Sequence, residues 1–197
     1  MPSRFLQFLK IFPDYFETAR LCLSRERGRA LEVVHAVICR DGKVLLSVRS
    51  HLRGWELPGG GVRAGESVET ALLREIKEET GLLVTIDQRV GCYRRTGIAP
   101  HMAWVYRCRA HSDLVIPSKE TPRLAWFRFD ELPKTLFPWF RVELSDALAE
   151  YDCEVDRIEH QGLRGVLAGV WIDWAMRATG DRAGGATPVG ESFPKED

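Results

Sequence analysis

Alternating apolar and polar positions predict a β-rich region in the middle of the chain. The runs LEVVHAVICR and KVLLSVRS flank Asp41-Gly42, a dipeptide that favours a two-residue turn, so they predict a β-hairpin. Further strands are predicted at WELPGG, LLVTIDQRVGCYRR, HMAWVYRCRA and RLAWFRFDEL. The glycines at the end of WELPGG predict that its short strand runs into a tight loop.

Helical signals lie between and after these strands. Ser67 suits an N-cap for a helix from Val68 to about Thr80, and Gly81 suits the left-handed residue that ends it. FRVELSDALAEY (140–151) and GLRGVLAGVWIDWAMRA (162–178) predict two more helices, although three glycines weaken the second. Because strands and helices are interspersed, the fold class is predicted as α/β or α+β.

The N-terminal segment carries a separate apolar stripe. Phe5, Phe8, Leu9 and Phe12 follow the i, i+3, i+4, i+7 spacing of a helix, and Pro13 breaks it. Such a helix could dock on the protein's own core, form a dimer contact or lie on a membrane surface. The stripe leaves these three alternatives open.

Four regions follow from these patterns. We predict an N-terminal helical extension (1–30), a central domain (31–150), a C-terminal helix (151–180) and a Gly/Pro-rich flexible tail (181–197). The aromatic stripe of the first region and the tryptophans near the C-terminus suggest that the two extensions pack on the core or form a homodimer.

Composition narrows the functional classes. The 197 residues carry 28 basic and 28 acidic side chains, so zero net charge argues against a large nucleic-acid surface. The five cysteines show no C-x-x-C pair, which argues against a zinc site or disulfide framework and favours reduced thiols in the cytoplasm. We expect neither a signal peptide nor a membrane span, because the start is interrupted by charge and proline and later apolar runs are short.

A cluster of acids stands on the first predicted helix. Glu75, Glu78 and Glu79 share an arc about 100° wide, while Leu73 and Ile76 are expected on the inward face. Like charges at i, i+4 and anions near a helix C-terminus are both unfavourable. The cluster is therefore either a solvated face paired with nearby basic residues or a site for a divalent cation, which prefers clustered oxygen ligands.

The spacing around this cluster identifies a longer motif. The pattern G-x5-E-x7-R-E-U-x-E-E-x-G-U, where U is apolar, is met at Gly60, Glu66, Arg74, Glu75, Ile76, Glu78, Glu79, Gly81 and Leu82. All nine positions match, and the predicted strand, glycine loop and helix give the expected context. The stretch resembles the Nudix box, and the resemblance covers about residues 31–150.

The resemblance implies a fold and a chemistry. Nudix proteins are α/β/α sandwiches with a mixed sheet between helices, and they hydrolyse a nucleoside diphosphate linked to another moiety, X. By resemblance, Glu75, Glu78 and Glu79 would bind Mg²⁺ or Mn²⁺, with the Gly59 carbonyl as a further ligand. Such ions neutralise the pyrophosphate and activate an attacking water.

The resemblance also implies supporting roles. Arg74 would orient Glu75, and Glu66 would assist in positioning metal or water. The catalytic base varies between Nudix enzymes, so Glu75 is one candidate here. Glu120, six residues before Trp126, is a second candidate for base or metal ligand, and a solvated loop glutamate is the alternative.

Substrate preference is less well defined. Gly59, Gly60 and Gly61 stand where enzymes acting on RNA 5′ ends or dinucleoside polyphosphates often carry Gln or Lys, which favours nucleoside diphosphate sugars such as ADP-ribose, or (deoxy)nucleoside triphosphates. Pro100 lies 18 residues beyond Leu82, slightly farther than the proline common in ADP-ribose hydrolases.

Basic residues outside the box are candidates for binding substrate. They are Arg49, His51, Arg53, Arg95 and His101. They could hold a phosphate or the X group through charge-assisted hydrogen bonds, and solvated strand-end residues are the alternative.

We therefore predict a Mg²⁺- or Mn²⁺-dependent Nudix pyrophosphohydrolase that cleaves a small nucleotide, with ADP-ribose favoured. The alternatives are a triphosphate pyrophosphohydrolase of the MutT type, which removes oxidised nucleotides, and a non-catalytic nucleotide sensor, although sensors often lose box carboxylates. A Nudix-fold isoprenoid diphosphate isomerase would need further Cys and Glu residues that we do not identify. No nucleic-acid or membrane partner is expected.

Overall fold

A mixed β-sheet crosses the molecule between one helix on one face and two helices on the other. The computed structural model describes residues 31–98, 100–149, 153–179 and 187–188. The strands are β1 (Leu31–Arg40), β2 (Lys43–Val48), β3 (Trp55–Glu56), β4 (Gly59–Gly61), β5 (Val84–Gly97), β6 (His101–Ala110), β7 (Arg123–Arg128), β8 (Val155–Gln161) and β9 (Thr187–Pro188). The helices are α1 (Val68–Thr80), α2 (Pro138–Leu148) and α3 (Leu163–Thr179).

The sheet order is β8-β5-β6-β1-β2-β7-β9, with β3 paired to β2 and β4 paired to β1. The β1–β6 and β5–β8 pairs are parallel, and the other pairs are antiparallel. β1 has two partners on the same edge: its end pairs with β2, and its first half pairs with β4 through His35 and Gly59. The glycine strand is thus held in the centre of the sheet.

Each face of the sheet covers its own core, because successive side chains of a strand point to opposite faces. The core under α1 includes Val34, Ala36, Ile38, Ala71, Leu72 and Ile76. The core on the other face includes Val37, Phe137, Phe140, Leu144, Ile172 and Met176, contributed by β1, α2 and α3. The α/β class with a mixed sheet between helices is confirmed.

Local sequence signals were accurate at α1 and at the hairpin. Ser67 Oγ accepts a hydrogen bond from the Thr70 amide at 3.2 Å, and Gly81 ends the helix with φ of 70°. Asp41 and Gly42 both have positive φ, as a tight hairpin turn requires. The predicted helix at 162–178 is present as α3.

One expectation was wrong, one strand was not predicted, and some expectations lie outside the described residues. Leu73 was predicted to face inward, and this was wrong, since it is 43% exposed. Strand β8 was not predicted, because its sequence VDRIEHQ lacks alternating hydrophobicity. The stripe at Phe5–Phe12 and most of the tail lie outside the described residues, and the division into four regions stays a prediction. Within the described part of the chain, no helix is both long and apolar enough to cross a membrane.

A buried carboxylate connects helix α2 with strands β5 and β8. Asp146, at the end of α2, accepts hydrogen bonds from the Tyr93 hydroxyl at 2.8 Å and from Arg157 Nε and Nη2 at 2.7 Å each. Tyr93 lies on β5 and Arg157 on β8, so one carboxylate connects α2 with two neighbouring strands. Burial and this bond raise the pKa of Tyr93, so its hydroxyl stays protonated and donates.

Candidate active site

Glu79 is a buried carboxylate at the end of α1. Its side chain points under β4, where Oε2 accepts a hydrogen bond from the Gly59 amide at 2.9 Å. Oε1 is buried without a hydrogen bond, and Arg49 Nη2 lies 3.4 Å away as an ion-pair partner. The residue is only 2% exposed. Burial raises the pKa of Glu79 to about 8, although Arg49 and the Gly59 amide oppose the shift.

Arg49 is the centre of a cluster of oxygen atoms. Its Nε donates to Glu56 Oε1 at 2.6 Å, its Nη1 to Glu120 Oε1 at 2.9 Å and its Nη2 to the Gly59 carbonyl at 2.6 Å. Glu56 is the main cause of the raised pKa of Arg49, against the effect of burial. Burial raises the pKa of Glu56 in turn, with Arg49 opposing it. One guanidinium therefore contacts acids from three segments of the chain, and its single charge cannot balance all three.

Arg74 organises a second group of acids on the exposed side of α1. Its Nε and Nη2 bind Glu66 at 2.8 and 2.9 Å, and its Nη1 lies 2.7 Å from Glu75 Oε1. Nη2 also donates to the Gly61 carbonyl at 3.1 Å. The hydrogen bonds from Arg74 hold the pKa of Glu66 at about 2. The contact expected between Arg74 and Glu75 is thus present.

The glycines of β4 allow α1 to approach the sheet. A Cβ atom at Gly60 would lie 2.5 Å from Glu75 Cδ, and one at Gly59 would lie 2.0 Å from the Val34 carbonyl oxygen. No side chain fits either place without displacement. Gly59 is therefore required by its contact with the backbone of β1, and Gly60 leaves room for the Glu75 carboxylate of α1 against β4.

The oxygen atoms gathered here fit a hard divalent cation. Glu75, Glu78, Glu79 and the Gly59 carbonyl supply carboxylate and carbonyl ligands of the kind that Mg²⁺ and Mn²⁺ prefer. Glu79 Oε1 is also buried without a hydrogen bond. In the described residues, no three His, Cys, Asp or Glu side chains already form a metal-binding group. These carboxylates are paired with arginines. Glu78 is half exposed, and its Oε2 lies 3.4 Å from Arg74 Nη1.

The predicted substrate-binding residues have different surroundings. Arg49 joins the carboxylates, whereas Arg95 is buried and pairs with Glu143 and, at 3.3 Å, with Glu159. His101 opens β6 opposite Arg95. The remaining two candidates, His51 and Arg53, lie on the loop between β2 and β3.

Two buried polar residues near the site, Glu56 and His35, were not predicted from the sequence. Glu56 follows Trp55 in β3, and His35 lies inside the apolar strand β1 with its Nδ1 2.8 Å from Glu143 Oε2. His35 also packs edge-on against Phe140, with ring centroids 5.0 Å apart. The available signal was a charged or polar residue inside an otherwise apolar run, which is unusual in a buried strand.

Comparisons with known proteins point to one family. The NUDIX domain family model matches residues 29–148, which is more than half of the chain. A MutT-like protein of Streptomyces ambofaciens is 34% identical over 121 residues, which cover 60% of this chain and 77% of that protein.

Two shorter matches name different substrates. A CTP pyrophosphohydrolase of Escherichia coli is 44% identical over 71 residues, which cover 34% of this chain and 53% of that protein. An ADP-ribose pyrophosphatase of Methanocaldococcus jannaschii is 46% identical over 63 residues, which cover 30% of this chain and 37% of that protein.

A solved structure shares the fold. The NUDIX hydrolase from Nitrosomonas europaea superposes with a TM-score of 0.62 at 19% identity, covering 69% of this chain and 82% of that chain. The complete box, the architecture and the family match lead to one conclusion. The chain belongs to the Nudix hydrolases, enzymes that act on diphosphate anhydride bonds.

Proposed function

We propose that this Nudix hydrolase is a divalent-metal-dependent pyrophosphohydrolase of free nucleotides. The observation that carries the proposal is Glu79, a buried carboxylate held between the Gly59 amide and Arg49 with one oxygen that accepts no hydrogen bond. Such a group is costly to bury as an anion unless a cation compensates it. A bound divalent ion would supply that compensation.

Four oxygen donors would hold the ion, namely the carboxylates of Glu75, Glu78 and Glu79 and the Gly59 carbonyl. When bound, the ion neutralises phosphate charge and lowers the pKa of a water molecule. Arg74 keeps Glu75 in place through the 2.7 Å contact. Because the pKa of Glu79 is about 8, metal binding near neutral pH would release a proton from it.

Two residues remain candidates for the base that accepts the proton of the attacking water. Glu75 lies against Gly60, within reach of a phosphate bound at β4. The Glu120 side chain is 63% exposed, but its Oε1 is held by Arg49 at 2.9 Å, which supports a place in the site over a freely solvated loop position. Replacement of each by glutamine, with kcat measured across pH, separates them: the true base loses the acidic limb of the profile.

Two substrate classes have separate support. Gly59–Gly61 are compatible with both classes, and Pro100, 18 residues beyond Leu82, supports ADP-ribose. One comparison supports nucleoside triphosphates, because the CTP pyrophosphohydrolase matches over a larger share of its own length than the ADP-ribose pyrophosphatase does. We therefore propose nucleoside triphosphates as the main candidates and ADP-ribose as the second.

A substrate panel tests both activity and class. CTP, dGTP, 8-oxo-dGTP, ADP-ribose and a UDP-sugar would be incubated with protein and Mg²⁺ or Mn²⁺, and the phosphate-containing products measured. Glu79→Gln should nearly abolish turnover while the fold, measured by circular dichroism, is kept. Glu131→Gln, at an exposed loop glutamate, is the matched control. Tight ADP-ribose binding without any product would instead favour the sensor alternative.

A homodimer stays a prediction, and the surface that supports it is on α3. Leu163, Val166, Leu167 and Trp171 follow one face of this helix and are all exposed, Trp171 by 64%. A second copy of the chain could cover them by a symmetric contact. Sedimentation of the wild type and Trp171→Glu tests this: a monomer mass for both would exclude the dimer. The cytoplasmic location also stays a prediction.

A further inference from the structure

Helix α3 lies beyond residues 29–148, which the family model matches, yet it reaches the loop that carries Arg49. That loop, residues 49–54, connects β2 to β3 and begins at the guanidinium on which the carboxylates converge. The C-terminal extension therefore contacts the candidate site from outside the shared domain.

The contact is made by an ion pair on the buried side of α3. Asp173 is 1% exposed, and its Oδ1 accepts a hydrogen bond from the Arg53 amide at 2.7 Å. Its Oδ2 lies 2.9 Å from Arg177 Nε, one helical turn later. Arg177 Nη2 then donates to the His51 carbonyl at 3.0 Å. The Asp173–Arg177 pair thus binds two backbone groups of the same loop, the Arg53 amide and the His51 carbonyl.

The loop is also fixed at its far end. A Cβ atom at Gly54 would lie 2.2 Å from Phe137 Cζ, so the backbone lies directly on that ring. The same ring lies 3.9 Å from where a Cβ of Gly169 in α3 would be. Loop 49–54 is therefore wedged between the start of α2 and the middle of α3.

The opposite end of the loop leads into the candidate site. The Ser50 amide donates to the Glu120 carbonyl at 2.9 Å, so the backbone beside Arg49 is paired with the segment that supplies Glu120. The Arg49 side chain then binds Glu56, Glu120 and the Gly59 carbonyl. A shift of the loop by about 1 Å would lengthen these short contacts, and displacements of that size are costly in active sites.

We propose that Asp173 and Arg177 are positioning residues for the hydrolytic site. They act through the backbone of loop 49–54 and set the place of the Arg49 guanidinium, without contacting substrate themselves. Helix α3 is then a functional part of the site, and its buried Asp-Arg pair determines how accurately Arg49 faces the carboxylates and a bound phosphate. The inference rests on the proposed function for its kinetic readout.

The central experiment compares two arginine variants of the same helix. Arg177→Met removes both the ion pair and the bond to the His51 carbonyl, and Arg164→Met is the matched control at an exposed position in the first turn of α3. With CTP and ADP-ribose as probes, kcat/KM of Arg177→Met should fall by about tenfold, the scale of one lost charge-assisted hydrogen bond. The control should match the wild type.

Hydrogen exchange supplies a readout that does not depend on activity. The Arg53 amide should exchange at least about tenfold faster in Arg177→Met, because its acceptor Asp173 loses its partner. Arg177→Lys, which keeps a cation near the His51 carbonyl, should restore part of kcat/KM. Exchange and kinetics equal to those of Arg164→Met would overturn the proposal.

A double-mutant cycle separates positioning from a general loss of stability. In an Arg49→Met background, adding Arg177→Met should change kcat/KM little, since the residue through which it acts is already gone. Fully additive losses would overturn the proposal. If Arg177→Met is too unstable to study, the same cycle is run with Arg177→Lys. If the wild type hydrolyses no probe, the proposed function fails, while the exchange rate of the Arg53 amide still decides whether α3 holds the loop.

Discussion

Glu79 should make the metal-free protein less stable as the pH rises. Its carboxyl pKa moves from 4.5 to about 8 on folding, so between these values the folded state holds a proton that the unfolded state has released. Stability therefore falls as pH increases through this window, by about 1.4 kcal/mol per pH unit for one proton. Between pH 5.5 and 7.5, Glu79 should remove about 2–3 kcal/mol from the free energy of unfolding.

Glu79→Gln removes this ionisation while its side-chain oxygen can still accept from the Gly59 amide. The charges facing Glu79 are those of Arg49, Glu56 and Glu75, and all three remain in the variant. The assay is urea denaturation in EDTA at pH 5.5, 6.5 and 7.5. The stability of the variant relative to the wild type should increase by about 2–3 kcal/mol over that range.

The control is Glu78→Gln, which makes the same chemical change at a half-exposed carboxylate on the same helix. It should not reproduce the change of about 2–3 kcal/mol, because Glu78 takes no part in the buried contacts that Glu79 makes with Gly59 and Arg49. Adding Mn²⁺ at pH 7.5 should stabilise the wild type much more than Glu79→Gln, because a ligand that binds only the folded state raises stability. Parallel pH curves for Glu79→Gln and the wild type would refute the reasoning about the buried carboxylate.

Three further predictions follow from close contacts. Gly60→Ala should lower kcat by at least about tenfold and lower the free energy of unfolding by less than about 1 kcal/mol, because its Cβ displaces only the flexible end of Glu75. Gly61→Ala is the control: its Cβ meets open space, so both kcat and stability should stay unchanged. Asp146→Ala should destabilise the protein by about 1–3 kcal/mol in urea denaturation, since it leaves the buried Tyr93 hydroxyl without its acceptor, whereas the half-exposed Arg157 can turn to solvent. Glu120→Gln should weaken Mn²⁺ binding, measured by calorimetry, by less than Glu79→Gln does, because Glu120 is mostly exposed.

Local chemistry explains what could be predicted from the sequence. The N-cap Ser67, the left-handed Gly81 and the Asp41-Gly42 turn each act within a few residues, so α1 and the hairpin were correctly placed. The box acids were identified because their spacing along one helix and its flanking loop is fixed. These local signals did not indicate that Glu79 is buried and Glu78 is not, although both lie on the same helix.

Long-range contacts explain what could not be predicted. His35 meets Glu143 108 residues away, and the Arg53 amide meets Asp173 120 residues away. Such partners depend on how α2 and α3 pack on the sheet, which no local pattern records. Leu73 shows a different limit, since an apolar residue at a helical position that predicted burial is 43% exposed among the described elements.

The parallel pairing of β8 with β5 has a consequence for folding. Gly91 pairs with Val155, and a Cβ at Gly91 would lie 2.0 Å from the Val155 carbonyl oxygen, so the two strands are in direct backbone contact. During synthesis the outer edge of β5 stays unpaired until a strand 64 residues later leaves the ribosome. A chain ending at residue 148 would keep that edge open, and unpaired edges promote aggregation. The C-terminal extension should therefore be needed for soluble expression of the catalytic domain as well as for its activity.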